Sequence, residues 1–199
     1  MSENDPKQVI IEYLSLPEGE VVSQPDANAP AVQKDGRWVL PGTMQRGGGM
    51  GARASTVRFL KERALPQRQV HAVTFEDETG QPWHFIGFVA QDAQGHWRFE
   101  MGGGGGGGSG SDPRHPLRDH PWANLAGGGW EDRFWAGGWV VDNGLEVTRV
   151  RLTGRNGRVL EDFVDNGLVL FVTDQKVRVP VQVELYNRSD ELVGQHSWF

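Results

Sequence analysis

A chain of 199 residues is long enough for one large domain or two small ones, and its formal charge of −6 argues against general affinity for nucleic acid or anionic membranes. The lack of any cysteine excludes disulfides, thiolate nucleophiles and Cys-ligated zinc or iron–sulfur centres. Hydrophobic residues make up only 37%, but 28 glycines and 11 prolines account for much of the deficit, and Trp and Phe supply the core bulk.

The first predicted element is a helix. Asp5 suits its N-cap, Pro6 its first position, and Val9, Ile10, Tyr13 and Leu14 fall on one stripe before Pro17 and Gly19 end it. The segment around it lacks the basic region and longer apolar run of a secretory signal, and no stretch of eighteen apolar residues follows, so a soluble cytoplasmic protein is expected. "PDANAP" then reads as loop, and Arg37 to Leu40 as a short strand closed by Pro41 and Gly42. Val57, Leu60, Ala64 and Leu65 are spaced for a helix from Ser55 to just before Pro66, although Val57 and Phe59 also suit a strand.

Beyond Gln69 the pattern is β. "VHAVTF", "WHFIGFVA" and "HWRFEM", separated by turn-forming segments, predict an antiparallel meander. The glycine run that follows, continuing into Ser-Gly-Ser, carries the largest backbone entropy cost of ordering, so residues 102–119 are predicted to be a flexible tether. It separates an α+β unit at 1–101 from a second unit at 120–199. In the second unit six short strand candidates follow at near-regular spacing, with Asn-Gly turns in "VVDNGLE", "GRNGR" and "VDNGL". Val150 and Leu152 alternate with Arg149 and Arg151, as a half-buried strand requires. The predicted fold class is therefore mainly β, a small α+β unit followed by an antiparallel immunoglobulin-like β-sandwich. Both halves also share a spacing: Gly80 and Gly95 follow Val70, Val73 and Phe75 much as Gly157 and Gly167 follow Val147, Val150 and Leu152. Duplication of one β-unit accounts for this, as do successive hairpins of similar length; duplication requires a strand at Val57 to Leu60.

The stretch "ANLAGGGWEDRFWAGGWV" looks most like a site. Trp135 and Trp139 lie four apart in extended chain, share one face, and are assigned to the core. Trp122 and Trp130, in Gly- and Pro-rich surroundings, are the candidate ligand-binding residues, suited to stacking on sugar rings. "GGGMGARAST" outlines a phosphate cradle but lacks the Gly-Lys-Ser/Thr of a P-loop, so it reads as loop. Arg53, Arg58 and Arg63 in the basic segment that follows are candidates for contact with an anion or an acidic partner.

No metal site is predicted: His115 and His120 stand five apart around Pro116, and Asp112 and Asp119 do not repair that spacing. No Gly-x-Ser-x-Gly elbow occurs, and the adjacent acid pairs Glu76/Asp77, Glu131/Asp132 and Glu161/Asp162 place their members on opposite faces of extended chain. No catalytic residue and no cofactor are assigned. "HSWF" is read as a final strand with Trp198 tucked inward. The function expected is a non-catalytic binding or assembly protein, acting through a protein partner or self-association, with exposed apolar surface beside a sheet edge. The alternatives are a carbohydrate-binding module on Trp122 and Trp130 or an enzyme using His71, His84 or His96 between the halves.

Overall fold

The computed structural model describes residues 5–17, 22–23, 32–34, 37–39, 45–46, 49–106, 120–130 and 133–198. The helix α1 (Pro6–Ser15) starts as expected: the Asp5 carboxylate accepts from the Lys7 amide at 2.9 Å, and Pro6 occupies the first turn. Its last carbonyls are capped from outside. The amides of Met50 and Ala52 donate to Leu14 at 3.1 and 2.9 Å, and that of Gly51 donates to Leu16 at 2.9 Å. The glycine-rich segment thus satisfies the orphan acceptors of the helix end. Two short ladders follow α1, β1 (Val22–Ser23) with β4 (Gln45–Arg46) and β2 (Val32–Lys34) with β3 (Arg37–Val39).

The helix expected at 55–65 is not there. A 3-10 turn at Ala54–Thr56 leads into the strand β5 (Arg58–Leu65). The misleading pattern has a local cause: Phe59 pairs with Val73 and Lys61 with Ala72, so Leu60 is the extra residue of a bulge. A bulge shifts the alternation by one residue, and an edge strand buries little, so the period of two disappears from the sequence.

β5 opens an antiparallel meander with β6 (Arg68–Glu76), β7 (Pro82–Gln91) and β8 (Trp97–Gly106), in that spatial order. β8 runs past Met101 into the glycine run and stays paired through Gly106 opposite Trp83. Close approach explains why glycine stands there. A Cβ on Gly102 would fall 2.8 Å from the Ile86 carbonyl and into the Phe85 ring, and one on Gly103 would lie 3.1 Å from the Ala126 side chain. Glycine keeps its N–H and C=O, so the ladder continues without side chains.

The later strands form two sheets. β9 (Trp122–Trp130), β10 (Arg133–Val141) and β13 (Leu168–Thr173) are ordered β13-β10-β9, and β11 (Val147–Gly154), β12 (Val159–Phe163), β14 (Val181–Asn187) and β15 (Leu192–Trp198) are ordered β12-β11-β14-β15. The protein is therefore mainly β, with one short helix and three antiparallel sheets of four, three and four strands.

These elements stack in layers with three cores. Ile10 and Leu14 of α1 pack with Val73, Phe75, Phe85 and Phe99 on one face of the meander. Its opposite face, carrying Val70, Ala72, Ile86 and Phe88, meets Trp135, Trp139, Leu168 and Leu170 of the three-stranded sheet. The other face of that sheet, with Phe134, Ala136, Val169 and Phe171, packs on Val150, Leu152, Val183 and Leu185. β10 is buried on both faces, which is why its sequence lacks a polar alternation.

Trp135 and Trp139 are buried, with 2% and 6% exposure, and Trp135 stacks on Phe88 at 5.9 Å between ring centroids. They point toward the first meander rather than into the C-terminal strands, so the indoles join the two halves. Removing such a ring from water stabilises by roughly 4–6 kcal/mol on area accounting.

The shared glycine spacing belongs to turns. Gly80, Gly95, Gly157 and Gly167 all have φ between 75° and 85°, the left-handed region that side chains resist. Asn143-Gly144 and Asn166-Gly167 have positive φ at both positions, as tight hairpin turns require. Beyond the turns the halves diverge: β6, β7 and β8 share one sheet, whereas β13 leaves the sheet of β11 and β12 to pair with β10.

Candidate functional site

β5 and β12 are edge strands of different sheets, and one buried ion-pair network ties them together. The Lys61 ammonium lies 2.8 Å from Asp162 Oδ2 and donates to the carbonyls of Phe163 at 2.6 Å and Leu168 at 2.9 Å. Asp162 also accepts from the Leu170 amide at 2.7 Å and pairs with Arg63. The Lys61 and Asp162 side chains are only 6% and 1% exposed. All three ammonium protons have acceptors, the condition under which a buried charge is tolerated.

Over this network lies a cavity of about 350 Å³, lined by Lys7, Phe59, Leu60, Arg63, Phe163 and Asp165 among others. Phe163 is 67% exposed and Leu60 is also exposed, with Val159 further along β12. At the rim Lys7 pairs with Glu62 at 2.8 Å and sits 5.4 Å from the centre of the Phe59 ring. The hydrogen bond from Lys7 holds the Glu62 carboxyl below its usual range, against a smaller opposing effect of burial.

His71 lies behind this rim, fully buried, with Phe59 edge-on at 5.5 Å and Gln69 Oε1 3.0 Å from Nε2. Burial pushes its pKa down to about 4, only partly offset by Glu62 3.9 Å from Nδ1. It is neutral at pH 7 and out of reach of solvent. His84 pairs with Thr74 while His71 pairs with Gly87, so the two imidazoles occupy opposite faces of the meander. His84 packs edge-on against Trp139 at 4.9 Å. His96 is exposed in the turn before β8 beside Asp92. The three histidines do not converge.

The candidate ligand tryptophans are not brought together either. Trp122 and Trp130 begin and end β9, roughly 26 Å apart at about 3.3 Å per residue. Trp122 is half-buried and stacks on His196 with centroids 3.5 Å apart, while the Trp130 side chain lies outside the described residues. Arg53 pairs with Glu76, Arg58 donates to the Ser55 and Val57 carbonyls, and Arg63 pairs with Asp162. Of the three, only Arg63 reaches the cavity. Asp112, His115 and Asp119 lie outside the described residues; among those described, no group of three or more His, Asp or Glu is placed to hold a metal ion. Trp198 packs against the last core, edge-on to Phe134 at 6.1 Å.

Sequence reasoning missed Lys61, Asp162 and Phe163, yet "VLEDF" carries a signal. Leu160 and Asp162 share the inward face of β12, whereas Val159, Glu161 and Phe163 share the outward face. An acid on the apolar side and an aromatic on the charged side mark a buried ion pair and an exposed contact. Outside, Glu161 is held by Arg149 and Arg151, both at 2.6 Å, and Tyr186 lies under both guanidiniums. Comparison with family models, with characterised proteins and with solved structures finds no match to this chain.

Proposed function

We propose that this protein is a non-catalytic assembly protein whose last seven strands form an immunoglobulin-like sandwich and whose contact face is formed by the edge strands β5 and β12, which ion pairs link. The strand order supports the first part. The first, second and fifth of those seven strands form one sheet, and the third, fourth, sixth and seventh form the other. That is the immunoglobulin arrangement with its fourth strand moved to the opposite sheet.

The observation that carries the second part is Phe163, two thirds exposed on an edge strand and facing a cavity shared with Leu60. An edge strand offers unpaired backbone groups to another chain, and an exposed aromatic beside it adds apolar area. Burying the exposed part of Phe163 contributes about 3 kcal/mol per copy. The rim carries both signs, Lys7 and Arg63 with Glu62 and Asp165, so a two-fold contact between copies is electrostatically self-complementary. The rival readings have less support: the three histidines are dispersed, with His71 buried and His96 in a turn, and Trp122 and Trp130 stand at opposite ends of β9.

Sedimentation equilibrium over a wide concentration range tests the proposal. A monomer–dimer equilibrium that Phe163→Ser shifts at least tenfold toward monomer is the expected result. A wild-type chain that stays monomeric to high concentration, or a dimer indifferent to Phe163→Ser and Leu60→Ser, overturns it.

A further inference from the structure

At the end of the C-terminal strands opposite the 142–146 turn, a second cavity of about 590 Å³ opens between three connections. It is lined by Arg133 at the start of β10, Arg155 in the β11–β12 turn, and Lys176 and Arg178 in the β13–β14 loop. Val177 and Val179 complete much of the wall, and none of the described lining residues is acidic. Asp174, in the same loop, is not part of that wall.

The arrangement is built rather than incidental. The Arg155 amide donates to the Arg178 carbonyl at 2.8 Å. Asn156 clamps the loop from both sides, donating to the Lys176 carbonyl at 2.8 Å and accepting from the Arg178 amide at 3.2 Å. Val177 anchors the loop in the core, and a Cβ on Gly154 would come within 2.8 Å of it, so glycine permits the two connections to touch. One backbone bond, two bonds through the Asn156 side chain and an apolar anchor therefore fix where Arg155, Lys176 and Arg178 start.

Arg155, Lys176 and Arg178 differ from six other cations of the chain. Arg53, Lys61, Arg63, Arg98, Arg149 and Arg151 each pair with a carboxylate. Arg155, Lys176 and Arg178 make no ion pair with any described residue. In a protein of charge −6, gathering uncompensated cations around one cavity costs mutual repulsion that a bound anion removes. Guanidinium forks match the oxygens of a phosphoryl group in pairs, and a concave site of this volume suits a small molecule.

We propose that this cavity binds the phosphate groups of a small phosphorylated molecule, held by Arg155, Lys176 and Arg178 with Arg133 at the back. The proposal is independent of the β5–β12 contact, which lies at a different place on the fold. Inorganic pyrophosphate is the first probe, followed by amide chemical-shift titration in low-salt buffer. Shifts centred on residues 155 and 176–178 are expected, with binding weakened about 10-fold by Arg155→Gln/Arg178→Gln and about 100-fold by the triple variant that adds Lys176→Gln. Arg188→Gln, in the turn between β14 and β15, removes the same charge elsewhere and is expected to bind within twofold of wild type. ADP as a second probe separates the sources of the group. Affinity equal to pyrophosphate assigns the site to phosphate alone, and tighter binding assigns it to a phosphorylated organic molecule. No shift at these amides in 10 mM pyrophosphate, or a correctly folded triple variant that binds like wild type, overturns the inference.

Discussion

Replacing Asp162 by Asn leaves the shape of the β12 strand almost unchanged and removes one charge from a site where both partners are nearly solvent-free. In water the loss of an ion pair costs little, but here the Lys61 ammonium would remain buried, 6% exposed, facing two carbonyls and an amide oxygen. At 2.8 Å and an effective dielectric near 20 the direct attraction is on the order of 6 kcal/mol, an upper bound because solvation offsets part of it. Removing one member of such a pair costs about 3–5 kcal/mol. Asn retains an acceptor for the Leu170 amide, and Arg63, half exposed, regains water, so the lower end, about 3 kcal/mol, is expected. In a urea titration this moves the midpoint down by about 1.5 M at an unchanged slope near 2 kcal/mol per M. Lys61→Met/Asp162→Leu removes both charges and is expected to cost well under the sum of its single changes, with a coupling of about 2 kcal/mol or more. A loss below 1 kcal/mol for Asp162→Asn, or additive single changes, would refute the account of these residues as one buried unit linking edge strands of two sheets.

Two further outcomes follow from the layers. His71 has its pKa lowered from 6.5 to about 4, so above pH 6.5 it is neutral in both states and neutral pH carries no penalty. As pH falls from 6.5 toward 4 the unfolded chain takes up the proton first, and about 3 kcal/mol of stability is lost. His71→Leu is expected to flatten that part of a stability–pH curve measured by urea unfolding. The limb between about 3.8 and 2 remains, because hydrogen bonds from Thr79 and Trp83 hold the Asp77 carboxyl down to about 2. Gly137→Ala tests the double-sided burial of β10: the new methyl meets Ile86 at 3.1 Å, the Val169 carbonyl at 3.2 Å and the Leu170 side chain. Overpacking of this kind costs about 1–3 kcal/mol, seen as a lower thermal midpoint, whereas an unchanged midpoint contradicts tight contact between the first and second sheets.

Much of the candidate site could not be read from the residues because it is made by distant strands. Lys61 and Asp162 are about a hundred positions apart, and although the inward parity of Asp162 in β12 hints at a buried partner, nothing in either strand says that the partner is Lys61 of β5. The cation cavity has the same origin, since Arg155 and Arg178 meet only when Asn156 and Gly154 bring two loops together. Exposure of Phe163 was latent in the alternation of "VLEDF", where the aromatic takes the parity of Glu161.

The sequence alone determined what depends on neighbours along the chain. Asp5 and Pro6 start the helix, Asn-Gly pairs with positive φ make the turns, and alternating residues mark β11 as half-buried. Tertiary structure decided whatever depends on which surfaces meet. β10 and the glycine-bearing end of β8 look permissive or ambiguous in isolation. Between two packed layers, the same glycines are required by contact distance, and Trp135 and Trp139 turn toward the first sheet because that face offers them Phe88, Ile86 and Ala90. Local preference is a property of a few consecutive residues, whereas close packing is a property of surfaces that the chain brings together only on folding.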